Sequence, residues 1–335
     1  RAVRVLLLVL GAGALAVVVI VWLRVAAFND AVSTASAYST ALLGPLNGDG
    51  RVNVLMLGYG GPEQNGGQSL SDSINILSID PASDTTTLIA VPRDLWVEGV
   101  GEMPGNGKVN QAFAIGYGEG GVEGGASLSA EVLSEVTGLD VEHWMAIDFA
   151  GFHEMVDAVG GVTIDNPTAF AYTTYEPAHE AGIWNGGEFP AGRLHLDGDE
   201  ALAYARARYT SVPEESSDFA RSIRQQRIMA ALQSKLGSGG FSSIGPGLAV
   251  MSALEGRLTT DLSAIDLFLL SGHLDVDRRL TLPEDEVLRA TVNTAGEYIL
   301  IPVDWSGPGQ YGLVHQYLAE RLAEPDDAGA EAGSG

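Results

Sequence analysis

The chain has no cysteine, which excludes a disulfide framework, a thiolate metal site and catalysis by a cysteine nucleophile. Basic residues are scarce, with 18 Lys and Arg against 43 Asp and Glu and a net charge of -25. Long-range repulsion therefore opposes nucleic acid and anionic lipid headgroups, so an anionic ligand must meet a local basic pocket. The six histidines show no metal spacing, and no nucleophile elbow supports Ser-His-Asp catalysis. Gly58-Tyr59-Gly60-Gly61 lacks the Lys-Ser/Thr ending of a nucleotide P-loop, which argues against ATP or GTP binding. No internal repeat is present.

What the chain does have is enough apolar content, 46% of 335 residues, for a sizeable core. Residues 5–23 form an uncharged apolar and small-residue run, able to span roughly 28 Å as a helix. Arg1 and Arg4 precede it, and the bulk beyond it is acidic. This predicts a single-pass anchor with a cytoplasmic N-terminus and an extracytoplasmic domain. A cleaved signal peptide is the alternative, but the run exceeds the usual apolar core of about 7 to 15 residues and no A-x-A site follows. Residues 1–24 are thus read as anchor, 25–50 as a small, polar stalk, 51–323 as one domain and 324–335 as a disordered acidic tail.

Within the domain, 52–58 reads as a strand, and 73–79 with 85–91 as a hairpin turned by 80–84. The segment 59–70 between them reads as a glycine-rich loop. A helix is expected over 128–136 with Gly138 as its stop, then a strand over 143–149, a helix over 152–159 closed by Gly160 and Gly161, and a strand over 162–165. This alternation favours an α/β fold. Residues 166–196 lack periodicity and are expected to be a functional loop or lid. Asp197 and Glu200 form a capping box for a helix running toward Arg208, and Asp218 can cap another in which Ile228, Leu232 and Leu236 make an apolar stripe. Further elements are expected at 261–270, 298–303 and 313–322.

The candidate chemistry lies in arginine. Arg193, Arg206, Arg208, Arg221, Arg224 and Arg227 fall within 35 positions, where even spacing would put about two. A guanidinium is a permanently charged planar fork suited to phosphate oxygens. Arg221 and Arg224 share a helix face, whereas Arg206 and Arg208 can serve one site only if the helix ends or the backbone extends between them. Pro92-Arg93-Asp94 follows a strand directly, Lys108 and Asn110 lie in the next loop, and Asp72 precedes a strand; strand ends are where α/β sheets gather ligand groups. Surface ion pairs and turn chemistry explain each of these in isolation.

In order along the chain, Ser71-Asp72-Ser73, Val91-Pro92-Arg93-Asp94, Lys108-Val109-Asn110, Asp148-Phe149-Ala150-Gly151-Phe152, Val156-Asp157-Ala158-Val159-Gly160-Gly161-Val162, Ala203-Tyr204-Ala205-Arg206-Ala207-Arg208 and Asp218-Phe219-Ala220-Arg221-Ser222-Ile223-Arg224-Gln225-Gln226 resemble the LytR-CpsA-Psr family. The resemblance implies an α/β/α sandwich with a central mixed sheet, preceded by one transmembrane helix. It implies an enzyme of the cell envelope that transfers a glycan from a polyprenyl pyrophosphate carrier, through a phosphodiester, to peptidoglycan or another envelope acceptor. Mg²⁺ is the implied cofactor. Mapped onto this chain, Arg93, Lys108, Arg206, Arg208, Arg221, Arg224 and Gln225 would meet the pyrophosphate, with Arg93, Asp94, Arg206 and Arg208 nearest the chemistry. Asp72 would hold metal, and Asp218 would orient an arginine. Two positions depart from the family pattern: Gly60 replaces an Asp and Leu70 an Arg, with Glu63 as the nearest substitute carboxylate. A non-catalytic lipid-glycan-binding or regulatory module, and a phosphatase using water alone, stay open as alternatives.

Overall fold

Three apolar runs open the domain as strands β1 (Val52–Tyr59), β2 (Ser71–Asp80) and β3 (Thr85–Ala90), paired antiparallel in sequence order. The β2–β3 turn is chemically specified. Asp80 accepts from the Ala82 N–H at 3.1 Å, and Asp84 takes a positive φ of 53°, which Asp tolerates better than most residues. A hairpin of β4 (Trp96–Glu98) and β5 (Asn106–Lys108) leads into α1 (Asn110–Thr137), followed by β6 (His143–Asp148), α2 (Phe149–Ala158) and β7 (Val162–Asn166). Then come β8 (Phe170–Thr173), α3 (Glu176–Glu180), β9 (Gly187–Phe189), β10 (Gly192–Leu196), α4 (Gly198–Arg206), β11 (Tyr209–Thr210) and α5 (Asp218–Lys235). The chain closes with β12 (Leu258–Thr260), α6 (Ala264–Ser271), β13 (Arg278–Thr281), β14 (Leu288–Val292), β15 (Tyr298–Pro302) and α7 (Gly312–Ala323). This computed structural model describes residues 23–35, 40–47, 50–60, 69–174, 176–180, 182–235, 250–273 and 276–324.

The central sheet runs β12-β6-β1-β2-β3-β13. It is mixed, because β1–β6 and β3–β13 are parallel while the remaining neighbours are antiparallel. Strand alternation sends Leu55, Leu57, Ile74, Ile76 and Ile89 to one face, where α1 and α7 cover them. Val52, Val54, Leu77, Ile79 and Leu88 go to the other face, against Leu262, Leu267 and Leu270 in and around α6. Apolar side chains on both faces require cover on both, and three layers result.

Several expectations change in detail. Helix α1 begins at Asn110 rather than Leu128 and is broken by Gly120 (φ -138°) and Gly121 (φ 64°). The six glycines between 116 and 125 hide it from periodicity, yet they let its two halves touch: a Cβ on Gly116 would sit 2.2 Å from the Gly124 carbonyl oxygen. The expected lid over 166–196 is instead a packed satellite of short strands around Phe170, Tyr172, Phe189 and Tyr204. Asn166 stitches it, donating to Thr168 and Pro190 carbonyls and accepting from Tyr204 at 3.0 Å. Strands of three to five residues are too short for alternation to register. The expected stalk is also corrected. Residues 23–32 are helical, Phe28, Val32 and Leu42 are buried, and the Leu42 N–H donates to Asp266 at 2.9 Å.

The apolar run 5–23 lies outside the described residues except for Leu23, as do most of the 59–70 loop, including Glu63, and the tail beyond Glu324. Among the described residues no helix is long and apolar enough to cross a membrane.

Where β6 begins, His143 Nδ1 meets Asp261 Oδ2 at 2.8 Å. The Asp261 hydrogen bond raises the His143 pKa above the ordinary 6.5, against the opposing pull of burial. A histidine with a raised folded pKa stabilises fully below its unfolded pKa, and that contribution disappears as pH climbs through the folded value. Unfolding free energy measured by urea titration is therefore expected to decline as pH rises from 6.5 through the raised value, and His143→Gln is expected to flatten that decline.

Candidate active site

The polar site grows from the ends of β2 and β3. A β-bulge shifts the β1–β2 register at Gly58/Tyr59, beside Asp72. Beyond β3 the chain turns over Pro92-Arg93-Asp94-Leu95, closed by the Leu95 N–H on the Pro92 carbonyl at 3.1 Å. The β4–β5 hairpin then returns to the same place, where the Val109 N–H donates to Leu95 at 2.7 Å and the Asn110 N–H to Arg93 at 3.3 Å. Four charges from three separate segments are thereby strung together. Arg93 donates from Nη1 to Asp72 Oδ1 at 2.7 Å and from Nε to Asp94 Oδ2 at 3.2 Å, while Lys108 Nζ meets Asp94 Oδ1 at 2.5 Å.

Asp94 is 2% exposed, and both its oxygens are engaged by cations. A carboxylate so enclosed is a positioning group: it fixes Arg93 and Lys108, and alternating signs offset the desolvation of each. Arg93 and Lys108 stay partly open.

The second side comes from the end of α4. Its capping box is present as expected, with Asp197 accepting from the Glu200 N–H at 2.9 Å. The helix stops at Arg206, and Ala207 is extended with ψ 118°. That break is the condition under which Arg206 and Arg208 can serve one site, and both are exposed. The Arg206 guanidinium lies 4.3 Å from the Phe149 ring centroid. Partial burial lowers its pKa from the ordinary guanidinium value, Asp72 opposes that shift and Arg208 reinforces it. Asp72 thus pairs with Arg93 and shares a cavity wall with Arg206.

From this polar end a cavity of about 440 Å³ runs under the helices. Asp72, Arg206 and Gln225 line it together with Phe152, Met155 and Ile228. The Ile228 and Leu232 stripe, read from sequence as core, also forms cavity wall.

The remaining arginines differ in their surroundings. Arg224 is fully buried, with Nε on the Tyr204 carbonyl at 3.1 Å, Nη1 on Glu215 Oε2 at 2.8 Å and on the Glu215 carbonyl at 2.7 Å, and Nη2 on the Ala207 carbonyl. Its guanidinium also lies over the Phe170 ring. The expectation that Arg224 meets a ligand is therefore corrected: it ties α5 to the Tyr204–Ala207 backbone that presents Arg206. Arg221 is buried. Arg227 donates to the Tyr204 hydroxyl at 3.3 Å, and Arg193 lies exposed on β10. The Asp218 side chain lies outside the description.

Ser73, Asn75 and Asp148 also line the cavity and were not singled out from sequence as site residues. Ser73 and Asn75 are polar residues on a strand face that is otherwise apolar at Leu77 and Ile79, an alternation signal that could have found them. Asp148 is occupied on both oxygens, capping α2 through the Gly151 N–H at 2.6 Å and pairing with Arg257 at 3.4 Å.

As a magnesium site the donor set is thin. Among the described residues no three His, Cys, Asp or Glu groups converge. Asp94 is spent on cations, and Arg93 takes one oxygen of Asp72. One remaining carboxylate oxygen fits Mg²⁺ in company with substrate phosphates and water, which is how that ion is commonly held.

Comparison with known proteins agrees with this architecture. The model of the LytR_cpsA_psr family matches residues 23–299. A curated relative from Oceanobacillus iheyensis, named polyisoprenyl-teichoic acid--peptidoglycan teichoic acid transferase TagU, is 31% identical over 252 residues, covering 74% of this chain and 71% of its own. The crystal structure of B. subtilis TagV superposes with a TM-score of 0.60 at 23% identity, covering 82% of this chain and 98% of TagV. A structure described as TagT bound to LIIa-WTA gives 0.57 at 19% identity, covering 83% and 91%.

Proposed function

The chain belongs to the LytR-CpsA-Psr family, and we propose that it transfers a glycopolymer from a polyprenyl pyrophosphate carrier to peptidoglycan or another envelope acceptor. The observation that carries this is one continuous space: guanidinium and carboxylate groups at Arg206 and Asp72 open directly into an apolar cavity. A pyrophosphate with a long hydrocarbon tail is a ligand of that dual character, and the name of the O. iheyensis relative supports the reading.

In this proposal the acceptor hydroxyl oxygen bonds to the glycan-side phosphorus while the bridging P–O bond breaks. Polyprenyl phosphate leaves, and the hydroxyl proton is released. The transition state spreads negative charge over phosphoryl oxygens, and preorganised cations lower its energy. Arg93, Lys108, Arg206 and Arg208 supply those cations, Arg221 and Gln225 hold the pyrophosphate from α5 with Asp218 orienting Arg221, and Asp94 positions Arg93. Mg²⁺, when bound at Asp72, would neutralise part of the phosphate charge. EDTA is expected to lower turnover by less than Arg206→Ala does, because the cation set is already in place; full activity without divalent metal would remove Asp72 as an essential ligand. An extracytoplasmic location, with residues 5–23 in the membrane, belongs to the same proposal.

The test is the full chain in vesicles with a polyprenyl-pyrophosphate-linked glycan and peptidoglycan fragments. Mass spectrometry is expected to find glycan phosphate joined to the fragments and polyprenyl phosphate released. Free glycan phosphate formed equally with or without acceptor would make the protein a phosphatase, and binding without turnover would make it a carrier module.

A further inference from the structure

Part of the cavity lining is built differently from the polar wall at Asp72 and Arg206. It is shared by the helical residues 23–32, through Val25 and the buried Phe28, and by α6, through Ile265 and Phe268 at the rim. The two are locked together: the Ala264 N–H at the start of α6 donates to Asn29 Oδ1 at 2.9 Å, and Asn29 is itself buried. Ile265 and Phe268 are three residues apart on one helix face, and both line the cavity while facing solvent, with Phe268 68% exposed. Aromatic surface of that size open to water on a cavity rim calls for a cover.

We infer that this rim docks into the acyl boundary of the bilayer, so that the cavity mouth opens to lipid and a polyprenyl tail enters without crossing water. The inference rests on the proposed function for the identity of the tail and for residues 5–23 as the membrane anchor, but not on glycan transfer. Reach selects the occupant. Leu23 is the last residue of the apolar run 5–23, and Phe28 follows it within the helical residues 23–32, about 8 Å along a helix axis. An anchor ending so close to the rim holds the rim at the membrane surface. Charge selects the mode. With a net charge of -25 the protein is repelled by anionic headgroups, so contact must come from apolar insertion.

The absence of cysteine makes the test clean. Phe268→Cys, labelled with the environment-sensitive dye NBD, is placed in the full chain in phosphatidylcholine vesicles. The control is Val292→Cys, an exposed apolar position on β14. NBD at 268 is expected to shift to the blue and to be quenched at least about twofold more by chain-doxyl lipids than NBD at 292, as burial at the headgroup–acyl boundary requires. Equal quenching at both positions, or none at 268, overturns the inference. A blue shift in detergent that grows with protein concentration assigns the rim to a second copy of the chain and also overturns it. No substrate is needed, so this outcome is independent of whether glycan transfer is detected.

Discussion

Arg206→Ala is expected to lower transfer by about a hundredfold or more, the usual scale for removing one preorganised donor from developing charge. Arg206 is the cation on the cavity wall, flanked by Asp72 and backed by the Phe149 ring. The loss should fall on kcat more than on KM if the guanidinium gains its contact chiefly as charge spreads over the phosphoryl oxygens. Stability should barely move, because the side chain is exposed and its ring contact is worth only about 0.5–1 kcal/mol. Arg206→Lys keeps the charge but not the planar fork or the stacking, and is expected to recover less than a tenth of the wild-type rate. Single-turnover measurements with excess enzyme separate the chemical step from product release. Unchanged turnover in Arg206→Ala would remove this residue from the mechanism.

Much of this site was legible in the sequence because the signals were local. The capping box at Asp197 and Glu200 fixed where α4 begins, and two arginines two positions apart could serve one site only if the helix ended or the backbone extended there, a condition Ala207 meets. The strand followed by Arg93-Asp94 placed those charges at a sheet end. Partnership was not legible. Nothing in the residue order says that Asp94 would spend both oxygens on Arg93 and Lys108, because that depends on the β4–β5 hairpin folding back. The stalk was misread for a related reason: its few anchors, Phe28, Asn29, Val32 and Leu42, gain meaning against residues distant in sequence, among them Ala264 and Asp266 more than 200 positions away. The same distance effect conceals the dual role of Ile228 and Leu232, since periodicity reports a buried face without saying whether protein or a cavity lies against it.

Arg224 shows how composition can point to the right neighbourhood and the wrong role, and its substitution carries the largest expected stability effect. Removing the fully buried partner of a largely buried, hydrogen-bonded ion pair costs about 3–5 kcal/mol, because the other charge and the freed carbonyls stay mostly shielded from water. Here the orphans would be Glu215 and the carbonyls of Tyr204, Ala207 and Glu215, all held by one guanidinium. Arg224→Met is therefore expected to lower the unfolding free energy by that amount in urea titrations. Arg224→Lys should fall nearly as far, since one ammonium cannot span acceptors arranged around a planar fork. Activity should drop too, through the loosened backbone that carries Arg206 and Arg208. The diagnostic is the split between stability and kinetics. A residue whose work is to grip phosphate would give, in Arg224→Lys, a raised KM with unaltered unfolding, whereas a scaffold residue gives reduced stability together with a kcat loss that recovers in part when Glu215→Gln removes the unpaired carboxylate. A stable Arg224→Met protein with only its KM changed would return Arg224 to the ligand.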